Sequence, residues 1–478
     1  MNAPFQSLAP ELLCKIFRLV APPTVAKVAL SAVCSHWRAC ALADASWWAD
    51  MRWTSMPQRL FELALERFRS APLSVFLLPQ ETNLLQHLDP HAKRIRRLAF
   101  FFNPISPPAF LQHGLELPAL EFLSVKNRRK GVSGPSLRFR APRLETLDLY
   151  GVVVHQWNDM DIPRLRHFKY DPRWTMNPLD EGVPVLFILH RLLSTFPQIR
   201  TIDMGGRCEN ILPSESSAYG QLMERLRLSL CCSACGIRIL ASFPRTVERL
   251  RVLRVKVANG RRFDGGTHHD ESDVQQRSLV MALASGHAYT TLQLADESDY
   301  GHTLSATFTT AHCFRNIHVT LPVRSFLLNW PAEWLSLRLS DTLQSISLPL
   351  SLWPEFALLT QGQPLMAPSV RICVLARSWN DLSQTVDVAR CGLLDCLELC
   401  VPGSRKDGAS SFRMQPILHF TGAVACVSER VKLVLERSDD PSADASLEER
   451  LLSALHAKRV ARSDLQPDWT IEWKESYF

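Results

Sequence analysis

Thirteen cysteines and fifteen histidines give this 478-residue chain ample material for metal or thiol chemistry. Cys231, Cys232 and Cys235 contain one Cys-x-x-Cys, which is half of a structural zinc site. Such a site needs about four ligands in matched pairs. No second pair stands at a suitable spacing, and His268 and His269 lie far along the chain. Thiols packed on an apolar face are the better reading of these cysteines. The same holds for Cys391, Cys396 and Cys400, which lie in a leucine-rich string. No phosphate-cradling glycine loop, nucleophile elbow or metalloprotease motif occurs. The sequence therefore predicts no catalytic residue, no metal site and no cofactor, and the chain does not read as an enzyme.

Bulk composition narrows the partners. Lys and Arg number 54 against 47 Asp and Glu, a net charge of +7. Spread over the whole length, this is weak pull on a nucleic acid. The cluster Lys93, Arg94, Arg96 and Arg97 interrupts a strand pattern at Ile95 and Leu98, so a solvated strand face explains it better than a nuclear signal. Glu11, Lys15 and Arg18 break any apolar leader at the N-terminus. Reduced thiols in a cytoplasmic or nuclear protein are then expected. The stretch from Leu98 to Leu115 carries Pro104, Pro107 and Pro108 and is no membrane span. At 478 residues a single compact core is not expected.

The elements that would have to present a binding surface begin at the N-terminus. Leu12, Ile16 and Leu19 are spaced i, i+4, i+7, and so are Leu13, Phe17 and Val20. Two adjacent stripes make a wide apolar helix face. Pro10 suits a first helical turn, and Pro22 with Pro23 ends the helix. The pattern predicts a second helix from about Val25 to Leu42, through Val28, Val33 and Trp37. Either these faces cover each other as core, or one of them looks outward for a partner.

Three strings in this region, Leu8-Ala-Pro-Glu-Leu-Leu-Cys-Lys-Ile-Phe, Leu30-Ser-Ala-Val-Cys-Ser-His-Trp-Arg and Ser46-Trp-Trp, resemble an F-box. Ala9 stands where the family has its first proline, and Trp47 where it has leucine. The resemblance covers about 50 residues. It implies docking to the Skp-type adaptor of a cullin–RING (SCF-type) ubiquitin ligase, with the rest of the chain holding an unknown client protein. Carried over position by position, it implies adaptor contacts from among Leu8, Pro10, Leu12, Leu13, Ile16, Phe17, Val33, Cys34 and Trp37.

Downstream, one string recurs. Leu117-Pro-x-Leu-x-x-Leu-x-Val, Ala141-Pro-x-Leu-x-x-Leu-x-Leu, Ile162-Pro-x-Leu-x-x-Phe-x-Tyr and Phe196-Pro-x-Ile-x-x-Ile-x-Met begin 24, 21 and 34 residues apart. Ile95, Leu98 and Phe100 suggest an earlier copy. Leu343, Ile346 and Leu348 suggest a later one, followed by Val370, Cys373 and Leu375 and by Leu394, Leu397 and Leu399. The shorter offsets fall in the leucine-rich-repeat range of roughly 20–29 residues. Each string ends in a short strand with one apolar face, which is stable only when copies stack into a parallel sheet. Arg128, Val152, Arg173 and Arg207 stand where the usual repeat has asparagine or cysteine, so the array should be irregular, resembling the degenerate repeats of fungal F-box proteins. The segment Arg69 to Leu77 resembles the first strand of that group.

The fold class expected is α/β: a helical module over 1–55, then an irregular leucine-rich-repeat-like solenoid with a parallel sheet over 56–478. A polar insertion is expected over about 258–277 and a cap over about 442–478, where Ser446 and Glu449 form a capping box and Trp469, Ile471 and Trp473 alternate. Residues between the leucines should face the open sheet surface: Phe122, Ser124 and Lys126; Thr146, Asp148 and Tyr150; His167, Lys169 and Asp171; Thr201, Asp203 and Gly205. Of these, Phe122, Lys126, Asp148, Tyr150, His167, Lys169, Asp171 and Asp203 are the candidate client contacts. Mixed charge with aromatic residues suits a protein better than a phosphate backbone. The competing reading is a nucleic-acid-binding protein using the N-terminal helices as a helix-turn-helix. The face through Val33, Cys34 and Trp37 offers that reading few cations.

Overall fold

A computed structural model of the chain describes residues 8–19, 24–44, 50–53, 58–67, 71–102, 109–127, 137–152, 160–171, 185–206, 222–230, 233–257, 273–284, 288–296, 304–319, 342–349, 371–375, 394–401, 428–436, 448–450, 452–453 and 468–474. It divides into two compact units, Met1–Ser229 and Leu230–Phe478. The chain is mixed α/β, with a mostly parallel sheet and several helices. Among the described residues no helix is long and apolar enough to cross a membrane.

The first unit opens with α1 (Pro10–Leu19), α2 (Thr24–Ala32) and α3 (Ser35–Ala43). The sequence predicts one continuous helix where α2 and α3 lie. The chain instead breaks at Val33 and Cys34. Cys34 takes an extended backbone, and its sulfur accepts the Trp37 N–H at 3.4 Å. This side-chain cap supplies a partner that the unbroken helix would have supplied itself. A further helix, α4, spans Gln58–Arg67.

Strands follow: β1 (Asp50–Trp53), β2 (Leu73–Leu77), β3 (Ile95–Phe102), β4 (Leu115–Glu116), β5 (Phe122–Asn127), β6 (Phe139–Arg140), β7 (Thr146–Tyr150), β8 (His167–Asp171), β9 (Thr201–Gly206) and β10 (Arg225–Leu230). β1, β2, β3, β5, β7, β8 and β9 pair in that order, all parallel. The recurring strings account for this directly. Leu120, Leu144, Leu165 and Ile199 each donate their N–H to the carbonyl three residues earlier, at 3.1, 3.0, 3.1 and 3.2 Å. The proline of each string (Pro118, Pro142, Pro163, Pro197) is the second residue of that β-turn, where its fixed φ is favoured. The next residue then bonds to the preceding copy: Glu121 N–H to Arg96 O, Glu145 to Glu121, Arg166 to Glu145 and Arg200 to Arg166, at 2.8–2.9 Å.

Register follows from that shared turn. Leu98, Leu123, Leu147, Phe168 and Ile202 stand side by side and are buried. So are Phe100, Val125, Leu149, Tyr170 and Met204. Successive residues of a strand point to opposite faces, so the positions between these two buried rows, and those flanking them, form the opposite, open face. A second small ladder is also parallel: β4 pairs with β6, and Arg140 bridges to Asp161. The long 34-residue offset holds a helix, α6 (Val185–Thr195), which buries Val185, Leu186, Ile188, Leu189, Leu192 and Leu193. Before it in the chain stand a 3-10 segment, Pro79–Arg94, and the short α5 (Ala109–Gln112).

The second unit contains α7 (Ser233–Ser242), α8 (Pro244–Arg249), β11 (Val252–Val257), α9 (Asp273–Ala284), β12 (Thr291–Asp296), β13 (Leu304–Thr309), β14 (Phe314–Val319), β15 (Ser345–Pro349), β16 (Arg371–Leu375), β17 (Leu394–Val401), β18 (Ser428–Glu436) and β19 (Asp468–Lys474). The strands at the later predicted copies, β15 to β17, pair in parallel with one another and on to β18 and β19. The departure lies at β12 to β14. β13 runs antiparallel between β12 and β14, which themselves pair in parallel with β15 and β11. A turn of Thr310 to Cys313 joins β13 to β14, and so short a connection permits only an antiparallel pair. Thr310 Oγ1 accepts the His312 and Cys313 N–H groups at 3.0 and 2.9 Å and fixes that turn.

The polar insertion expected to reach 277 ends earlier. Residues 258–272 lie outside the described residues, and Asp273 already opens α9. Gln276, Leu279, Val280 and Leu283 are buried at helical spacing. α9 crosses α7 at Gly236, where a Cβ would stand 2.7 Å from Leu279. At the predicted cap, residues 448–450 and 452–453 are helical and β19 follows.

Candidate protein-interaction surfaces

Two surfaces of the first unit collect the candidate residues. The first is α1 with α3. The two stripes of α1 part company. Leu13 and Phe17 are fully buried, and the Phe17 ring meets Trp37 of α3 edge-on at 5.3 Å. Leu12, Ile16 and Leu19 are 48%, 40% and 84% exposed, and Val33 at the break before α3 is 61% exposed. Of the expected adaptor contacts, Leu13 and Phe17 are therefore corrected: they are the internal glue of the module. Trp37 and Cys34 are half-buried, the first against Phe17 and the second as the α3 cap. Leu8 is half-buried, and its carbonyl stands 3.1 Å from His36 Nε2. Pro10 is exposed at the start of α1. Trp47 and Trp48 lie outside the described residues.

The second surface is the open face of the parallel strands. Cross-strand register arranges it in rows. Arg97, Phe122, Thr146, His167 and Thr201 make one row, and His167 Nδ1 stands 2.7 Å from Thr201 Oγ1. Phe76, Ala99, Ser124, Asp148, Lys169 and Asp203 make the next. Phe101, Lys126, Tyr150 and Asp171 make the third. Seven of the eight candidate client residues are at least partly exposed. Asp171 is corrected: it is 7% exposed at the end of β8, where its carbonyl accepts the Gly151 N–H at 2.7 Å. Ser124, also expected on this face, is buried, with its hydroxyl donating to Asp148 Oδ2 at 3.2 Å. Gly205 is buried as well.

Charges alternate along the middle row. Burial pushes the Asp203 carboxyl above its ordinary range; Lys169 and Arg227 oppose the shift, and Asp171 and Asp148 add to it. Lys126 Nζ stands 3.8 Å from Asp148 Oδ2 and 6.0 Å from the centre of the Phe101 ring. The Arg97 guanidinium lies 5.2 Å over Phe122.

At one end of these rows the face is concave. A groove of about 380 Å³ is lined by Phe76, Ala99, Phe101, Phe122, Lys126 and Asp148, among others. Its depth comes from residue size. Ala99 and Ser124 are neighbours in register, and larger side chains stand on adjoining strands. Phe76, Ala99 and Phe101 were not among the expected contacts. The same alternation, applied to β2 and β3 as to the later strings, identifies them.

Among the described residues no group of three or more His, Cys, Asp or Glu is placed to hold a metal ion. Cys235 is buried in α7, while Cys231, Cys232, His268 and His269 lie outside the described residues. Against known proteins, the chain matches no family model and no curated protein.

Proposed function

We propose that this chain is a non-catalytic interaction protein: an F-box-type substrate receptor that docks a Skp-type adaptor of a cullin–RING ubiquitin ligase through α1 to α3 and holds a client protein on a leucine-rich-repeat-like solenoid. The observation that carries this reading is the parting of the α1 stripes. A helix that existed only to close its own domain would bury both. Here Leu13 and Phe17 bury, while Leu12, Ile16 and Leu19 remain as a bare apolar ridge continued by Val33. The order of the three N-terminal strings and the in-register repeats support the same reading.

Magnitudes limit what the ridge can do alone. Full burial of one such side chain is worth roughly 1.5–3 kcal/mol. Association costs about 4–15 kcal/mol. Four side chains that are already partly covered do not comfortably exceed that cost, so adaptor docking must also use the rim around them, including Leu8 and Pro10. The helix-turn-helix reading gains nothing from this surface, since a phosphate backbone would meet leucine, isoleucine and valine.

The test is capture of the full chain by a purified Skp-type adaptor. Leu12→Asp with Ile16→Asp should abolish capture and leave the unfolding midpoint near wild type, because both side chains are exposed. Capture undiminished by that double change, or no capture of the wild type, would defeat the proposal.

A further inference from the structure

The groove at β2, β3 and β5 has a chemistry of its own. Its walls are three phenylalanine rings, Phe76, Phe101 and Phe122, and its floor includes the small residues Ala99 and Ser124. One carboxylate borders it, and that carboxylate is short of donors. Asp148 Oδ2 accepts from Ser124 at 3.2 Å and stands 3.8 Å from Lys126 Nζ, beyond hydrogen-bond length. Asp148 Oδ1 is buried with no hydrogen-bond partner. A carboxylate left with an unpaired oxygen away from water is costly. Asp148 is one of the residues that line the groove, and its terminal torsion is broad.

The charges say which donor is suitable. Arg97 and Lys126 already sit over Phe122 and Phe101. A cationic guest would meet both. An anionic guest would meet Asp148 and leave its oxygen unpaired. We infer that this groove takes an uncharged segment of a client polypeptide, which inserts one bulky apolar side chain between Phe76, Phe101 and Phe122 and donates one backbone N–H to Asp148. The inference rests on the proposed function only in treating the open face as the client side.

Random heptapeptides displayed on phage, selected on the full-length chain, provide the probe. Enriched peptides should share one bulky apolar residue within an uncharged stretch. Synthetic copies should lose at least roughly tenfold in affinity when the anchor's amide is replaced by an ester, the size expected for one hydrogen bond to a charged acceptor. Ala99→Phe, which fills the floor, should abolish binding. Phe76→Ala provides a second arm with no steric insertion and should also weaken it. Near-ultraviolet circular dichroism of each variant checks that the fold is kept. Selection of acidic or basic anchors, equal binding by the ester, or equal binding by both correctly folded variants would overturn the inference. Leu12→Asp/Ile16→Asp protein should bind the peptides as wild type does. Failure of adaptor docking and failure of this site are thereby separable.

Discussion

Asp203 shows how one side chain on the open face can set a pH dependence. Burial raises its pKa, so the folded chain holds that proton more tightly than the unfolded chain does. Stability from this group is then highest at acid pH and falls as pH rises, from about 4, the unfolded carboxyl value, through the raised folded value. Asp203→Asn removes that slope. The melting temperature of the variant, measured from acid to neutral pH, should gain on wild type as pH rises; a difference constant across the range would contradict the assignment. The alternation along Leu-x-x-Leu-x-Leu was enough to place Asp203 and most of its neighbours on this face. The burial of Asp171 was not legible, because a strand's last residue is covered by whatever lies beyond the strand, which the repeat does not describe.

Single elements are held by contacts that composition does not reveal. Gly151 ends β7 at φ +65°, and a Cβ there would lie 2.4 Å from the Asn127 carbonyl oxygen. Gly151→Ala should cost about 1–2 kcal/mol from the left-handed backbone alone. The forced backbone shift adds to this, read as a lowered urea midpoint. In the second unit Arg315 is 1% exposed. It donates to the carbonyls of Val247 at 2.9 Å and Leu250 at 2.8 Å, closing the end of α8 with a positive charge. Arg315→Met should cost about 3 kcal/mol, because two carbonyls lose charged donors at once. Lysine should recover only part of this, since it lacks the planar fork that reaches both carbonyls. Amide exchange over residues 244–250 reads the same event locally. Neither contact was legible in the sequence: an arginine in a strand pattern reads as an exposed residue until the helix end it caps is placed beside it. The break at Val33 and Cys34 was hidden for a similar reason, since the apolar spacing of α2 and α3 runs on as if the helix did.

On the scale of the whole molecule, the parallel strands β5, β7, β8 and β9 were readable because one local device, a proline turn followed by the Leu-x-x-Leu-x-Leu spacing, marks each of them in the sequence. The antiparallel β13 was not readable, because the leucine strings fall silent between β9 and β15. The net charge of +7 argues only weakly for nucleic acid, and its consequence can be checked. A gel-shift titration with duplex DNA should show no complex at physiological salt beyond the weak, sequence-independent binding that any mildly basic protein displays. A tight complex that weakens steeply with salt would favour the helix-turn-helix reading.

The proline turn also frees the chain between copies. Because β5, β7, β8 and β9 are each re-registered by their own turn, the connection before such a turn can lengthen at little cost. Going from 21 to 34 residues, the step that admits α6, adds only about 0.4 kcal/mol of closure entropy. Those connections are therefore natural splice points, at which a reporter domain or an affinity handle can be grafted without retuning the strands on either side.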